Sequence, residues 1–284
     1  RVQGLLVKAI SRSSRGDMAG HLQDALVALE HARDMAEDAL IGEALLHVGY
    51  VHLSCGRPDE AKVALEEGRT RLQEPGAEFL LAVVLALLGM ATFLGGDLPG
   101  GREHVESALR MQRNIGDYEG RGLSLSCLAQ MTFAEGDHAA AMDRFREALD
   151  AFGRVGDRPE VARLHVEMGW AALGAGDPGE ARAAFVRGVR AYEEVGSPRG
   201  TGTALMGLAA VETAAGRTER AVTIAGVARE LSARAGVVVT HAMDPGVAER
   251  IESLKASIPE AALEGLEAEA RELTPAAVLA MVAE

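Results

Sequence analysis

The sequence predicts an all-α fold, a solenoid of antiparallel helical hairpins that repeats every 40 residues. Three observations predict it. The first is glycine in two interleaved series. One runs Gly16, Gly56, Gly96, Gly136, Gly176, Gly216; the other runs Gly76, Gly116, Gly156, Gly196, Gly236, with Ala36 in its first slot. Each series steps by 40 residues and the two are offset by 20, a phase that a free coil would not keep. The second is composition: 48% of the 284 residues are apolar and only 4% aromatic, so small, helix-favouring residues carry the core. The third is that few segments have the β-branched runs of strands.

Taken in order, residues 2–34 read as a partial first hairpin, because Leu5, Leu6, Val7 and Ile10 already have helical spacing. Then come first helices near 41–54, 81–94, 121–134, 161–174 and 201–214, alternating with second helices near 59–74, 99–114, 139–154, 179–194 and 219–234. Each spans about 22 Å at 1.5 Å per residue. Glycine takes the left-handed conformation that stops one helix. Asp97, Asp137 and Asp177 follow their glycines and cap the next helix, and Pro178 sits where a first helical residue belongs.

Small residues recur in phase. On the first helices they are Ala9, Gly49, Gly89, Ala129, Gly169 and Ala209; on the second, Ala61, Gly101, Ala141, Ala181 and Ala221. A third row is Ala28, Gly68, Ala108, Ala148, Gly188 and Ala228, and a larger apolar row is Leu65, Val105, Phe145 and Phe185. A mid-helix glycine costs about 1 kcal/mol against alanine, so its repeated use implies close approach of paired helices. After Gly236, Asp244-Pro245 starts a helix to about Ile258, Pro259 another to about Leu273, and Thr274-Pro275 a third. The division expected is 1–36 partial hairpin, 37–236 five repeats, and 237–284 closing helices.

Net charge is −13 and the isoelectric point near 5.2. No cluster of Lys and Arg stands ready to displace phosphate counterions, so direct nucleic-acid binding is not expected. Two cysteines, Cys55 and Cys127, give no disulfide framework and fit a reducing cytoplasm. No apolar run is long enough to span a membrane; the stretch from Phe79 to Leu94 ends at Gly95-Gly96-Asp97 and reads as a buried helix. The chain starts at Arg1 within a helical pattern, as an excised piece of a longer protein would.

Catalytic and cofactor motifs are not found. None of Lys8, Lys62 and Lys255 ends a phosphate-binding loop. No serine lies in Gly-x-Ser-x-Gly. The eight histidines include no His-Glu-x-x-His and no pair at i, i+4, so neither metal nor other cofactor is expected. His165 takes a slot held by Leu45, Leu85, Leu125 and Leu205, and reads as a half-buried, hydrogen-bonded ring.

The run Leu128-Ala129, Gly136-Asp137, Ala141, Phe145, Ala148 resembles the tetratricopeptide repeat signature, as does Met168-Gly169, Gly176-Asp177, Ala181, Phe185. The 40-residue period departs from that family's usual 34 and resembles the solenoid sensors of bacterial transcriptional regulators of the MalT, AfsR and LuxR type. The resemblance implies a right-handed superhelix with a concave groove lined by one stripe of each first helix. Carried over by repeat phase, the stripe takes positions i, i+3, i+7, i+10 from Glu43, Val83, Leu123, Arg163 and Thr203. It holds Tyr50, Met90, Phe93, Gln130, Phe133, Arg163 and Trp170, the candidate ligand or partner residues. A solvated stripe would be polar; an apolar one marks a partner site or packs on itself. The implied function is a sensor and protein-interaction domain, not an enzyme, binding a peptide, a small effector or another domain of its parent. A free-standing adaptor or co-chaperone module is the alternative, but its basic clamp is missing, since the stripe has only Arg163. An accessory domain of an enzyme is the third reading. An exposed apolar first hairpin is expected to support a homodimer.

Overall fold

The computed structural model describes residues 1–13, 17–235 and 246–283. Gly16, Gly236, His241, Asp244 and Pro245 lie outside the described residues. Among those described, fifteen α-helices and one short 3-10 turn are the regular elements. They are α1 (Val2–Ser13), α2 (Met18–Met35), α3 (Asp38–Ser54), α4 (Pro58–Arg71), α5 (Glu78–Leu94), α6 (Leu98–Ile115), α7 (Tyr118–Ala134) and α8 (His138–Val155). There follow α9 (Arg158–Gly174), α10 (Pro178–Glu194), α11 (Pro198–Ala214), α12 (Thr218–Ala235), α13 (Val247–Leu254), α14 (Glu260–Glu272) and α15 (Pro275–Ala283). They form two compact units, Arg1–Met131 and Thr132–Glu284. In each, consecutive helices pack as hairpins.

The glycine phase has the conformational cause expected of it. Gly56, Gly76, Gly96, Gly116, Gly136, Gly156, Gly176, Gly196 and Gly216 all have positive φ, between 67° and 96°. Ala36, in the slot without glycine, is forced into the same region at φ 54°, a strained setting for a residue with a Cβ. Aspartates restart the chain: Asp97 Oδ1 accepts from Gly100 N at 2.9 Å, Asp137 from Ala140 N at 3.0 Å, and Asp177 from Glu180 N at 2.9 Å. Asp17, Asp117 and Asp157 cap in the same way. Pro178 opens α10.

The small and large rows interlock. A Cβ added at Gly49 would stand 2.5–3.0 Å from three side-chain atoms of Leu65. At Gly169 it would stand 2.6 Å from the ring of Phe185. So the large residue of α4 or α10 seats in the hollow its partner glycine leaves. Leu65 and Phe185 are 0% exposed. The third row lies at the joint to the next hairpin: a Cβ at Gly188 would meet Val166 on α9 at 2.9 Å and Ala204 on α11 at 3.6 Å.

The hairpin α5–α6 closes on backbone itself. A Cβ at Gly101 would lie 2.6 Å from the carbonyl oxygen of Gly89 and 2.9 Å from the amide nitrogen of Phe93. Gly101→Ala gains about 1 kcal/mol of helix propensity. Against this stands overpacking of about 1–3 kcal/mol, at its upper end here because the clash is with backbone. The expected result is a net loss of stability in urea denaturation, although Ala141 and Ala181 hold the same register elsewhere. A variant as stable as the parent would contradict this packing.

Candidate functional site

In the first unit the inner stripe is apolar and only half covered. α5 is apolar around most of its circumference, so whichever stripe is not packed leaves hydrocarbon at the surface. Tyr50 on α3 is 38% exposed. Met90 and Phe93 on α5 and Gln130 on α7 are half-buried. Leu46, Leu53, Val83 and Leu123, also half-buried, pack on the core of Leu65, Val84, Leu87 and Leu88. The stripe is thus the uncovered rim of that core. Ala86 and Ser126 of the same register are fully buried.

The second unit treats the same register differently. Trp170 is 4% exposed, and its ring meets Phe185 edge-on at 5.2 Å and 76°. Val166, Met206 and Ala210 are buried as well. Phe133 is half-buried beside the His138 ring, 4.8 Å between centroids. Arg163 is half-buried and held by two carboxylates of its own helix: its Nε donates to Glu160 at 2.8 Å, and a terminal nitrogen donates to Glu167. Burial works against its charge, but Glu167 and Glu160 outweigh burial and hold the guanidinium protonated. A guanidinium so engaged is not a ready clamp for a partner's carboxylate. Of these stripe residues Tyr50 is exposed, Met90, Phe93 and Phe133 are half-buried, and Trp170 is interior.

Two clusters escape the sequence pattern. His21 Nε2 on α2 lies 3.2 Å from His47 Nδ1 on α3, with the Tyr50 ring 5.8 Å from His21. These histidines are far apart in sequence, so no helical spacing announces them. The other is Glu212 on α11, 0% exposed, which pairs with Arg182 at 2.8 Å, with Arg217, and with Arg220 at 3.9 Å. Arg182 Nη1 also donates to the carbonyl of Val282 in α15 at 2.9 Å. His165 is half-buried as expected, but its Nδ1 has no hydrogen-bond partner. Cys127 is buried and Cys55 exposed. Among the described residues no three His, Cys, Asp or Glu side chains converge to hold a metal, and no helix is long and apolar enough to cross a membrane. A shallow depression of about 620 Å³ lies off the stripe, between Asp38 and the α4 residues Val63, Glu67 and Arg71. Of its charges, Asp38 is paired with Arg71 and Glu67 with Arg33.

The buried histidines make stability depend on acid. Burial, and then the neighbouring His21, pull His47 down from 6.5 to about 4. Burial also lowers His21, against the opposing charge of Asp24. Above the unfolded value of 6.5 both states are neutral and stability is full. Below it the unfolded chain takes up a proton that the native chain refuses, until the folded value near 4 is reached. Stability is therefore lost as pH falls through that window, by about 3 kcal/mol from His47. Urea denaturation across it should show the loss, and His47→Leu should flatten it.

Residues 120–194 match the family model described as tetratricopeptide repeat. No curated protein sequence gives a match. Among solved structures, a Rap protein complexed with competence and sporulation factor is similar with TM-score 0.69 at 12% identity, over 98% of this chain and 75% of that one. Aspartyl phosphate phosphatase F of Bacillus subtilis gives 0.65 at 11% identity, over 95% and 70%. A signal transduction ATPase with numerous domains and a tetratricopeptide repeat sensor, from Pyrococcus horikoshii, gives 0.60 at 13%, over 94% of this chain and 44% of that one. At these identities the likeness is one of fold. The chain is built of tetratricopeptide-like helical hairpins, and that fold is in general a protein-interaction scaffold rather than a catalytic one.

Proposed function

We propose that this chain is the sensor and protein-interaction domain of a bacterial transcriptional regulator, acting in the cytoplasm. The observation that carries it is the half-covered apolar stripe of the first unit, Tyr50, Met90 and Phe93, on a scaffold of this fold. A peptide is the occupant that best fits a row of separate apolar anchors spaced along successive helices. The likeness in fold to a Rap protein complexed with competence and sporulation factor, and to an ATPase whose repeats are described as a sensor, supports that reading. Arg163, engaged by Glu160 and Glu167, speaks against the carboxylate-gripping adaptor. Gln130 continues the stripe of the first unit onto α7. In this reading 1–36 is a partial hairpin, 37–236 carries the repeats, and 237–284 closes them. Binding would favour one of two forms of the parent protein, since a ligand shifts an equilibrium only by its differential affinity. Val7 and Ile10, 66% and 54% exposed on α1, support self-association of the chain.

Selection of linear peptides from a displayed library tests the reading. Selected peptides should bind the chain and lose about thirtyfold or more in affinity, a hot-spot loss of about 2 kcal/mol, on Phe93→Ala. Binding that is indifferent to Phe93→Ala and Tyr50→Ala would overturn the assignment of this face.

A further inference from the structure

His21 breaks a row of small residues in the repeat. Its register on the second helix of each hairpin holds Ala61, Gly101, Ala141, Ala181 and Ala221 elsewhere. In α2 that register carries an imidazole instead, 1% exposed and 3.2 Å from His47 on α3. Its second ring nitrogen, Nδ1, is buried with no hydrogen-bond partner. The two nitrogens that face each other, Nε2 of His21 and Nδ1 of His47, share one hydrogen bond worth about 1 kcal/mol and could instead share one ligand.

We propose that His21 and His47 form a two-histidine site for a divalent transition-metal ion of the zinc, copper or nickel class, with water in the remaining positions. Two nitrogens each about 2.0–2.1 Å from a tetrahedral ion stand about 3.3 Å apart. The observed 3.2 Å matches that edge, so an ion enters by rotation of the rings without moving α2 against α3. Imidazole is a donor these ions favour. Burial keeps both rings neutral near pH 7, the state that coordinates metal. The charges around the pair nearly balance. From α1, Lys8 and Arg12 reach Asp24 at 3.1 and 2.9 Å, and Arg12 reaches Asp17 at 3.5 Å. Glu43, one turn before His47, adds a carboxylate whose proton affinity burial raises. Asp24, one turn beyond His21, acts on it through its charge alone, since its oxygens are held by Lys8 and Arg12. Access is past half-buried His47 and exposed Tyr50, so the ion would also fix the ring at the start of the inner stripe.

The test is calorimetric titration of the chelator-stripped chain with zinc chloride, with His21→Ala and His47→Leu as comparisons. Those variants carry what the repeat itself holds at the same registers, Ala61 and Leu87. The unmodified chain should bind one zinc at this site. Either variant should lose about tenfold or more in affinity. In the unmodified chain, zinc should shift the ring-proton NMR signals of His21 and His47 and leave those of His31 and His104 in place. Absence of binding up to millimolar zinc, equal binding by the double variant, or shifts confined to other histidines would overturn the proposal.

Discussion

Trp170→Ala is expected to cost about 3–5 kcal/mol of stability, the range for removing a large aromatic from a packed interior. The ring is 4% exposed and lies edge-on to Phe185. Phe185 is held in turn between α9 and α11, because Gly169 and Gly207 leave it room: a Cβ there would lie 2.6 and 2.2 Å from the Phe185 ring. Removing the indole therefore opens a cavity beside a side chain with no other place to go. The loss should appear in urea denaturation followed by circular dichroism, since the chain's one tryptophan would be gone. A partner anchor would behave in the opposite way, keeping stability and losing affinity. A destabilisation under about 1 kcal/mol would contradict the interior placement.

Glu212→Ala is expected to cost about 3 kcal/mol, because a buried carboxylate is removed from three guanidinium groups it holds together. Arg182, Arg217 and Arg220 come from α10, the α11–α12 turn and α12, and without Glu212 they repel one another. They are partly exposed and regain some hydration, which keeps the cost at the lower end of the range for a broken buried pair. The backbone itself accepts alanine, since Ala172 occupies the same register and is 2% exposed. The effect should spread to α15, whose Val282 carbonyl accepts from Arg182. Amide exchange over residues 275–283 should quicken in the variant. Unchanged stability with unchanged exchange in α15 would contradict the role given to Glu212.

The repeat was legible because its punctuation is chemical. Every described glycine of the two series has the positive φ that only glycine adopts without strain, and the aspartates after them donate no hydrogen bond but accept one at the helix start. The first helices nevertheless begin about three residues before the apolar pattern does, because the cap fixes the start: Asp157 caps α9, which runs from Arg158. The interlocking rows were legible too, since Gly169 and Phe185 sit at fixed phase. Which stretch of the inner stripe stays open was not. Phase places Trp170 and Tyr50 on the same stripe, yet one is buried and the other 38% exposed. The difference lies in neighbours: Trp170 lies on the Phe185 ring, whereas its counterpart Tyr50 belongs to a hairpin whose large-row residue is the smaller Leu65. The His21–His47 pair and the Glu212 cluster join residues from different helices: the repeat marks His21 in a row otherwise Ala or Gly, but no spacing names its partner or gathers the arginines around Glu212.

The most direct measurement is amide hydrogen exchange on the chain with and without a selected peptide. Protection should concentrate on the first helices of the first unit, α3, α5 and α7, around Tyr50, Met90, Phe93 and Gln130, and leave α4 and α6 as they were. Protection concentrated on α4 and α6, with α3 and α5 unchanged, would contradict the inner stripe as the binding face.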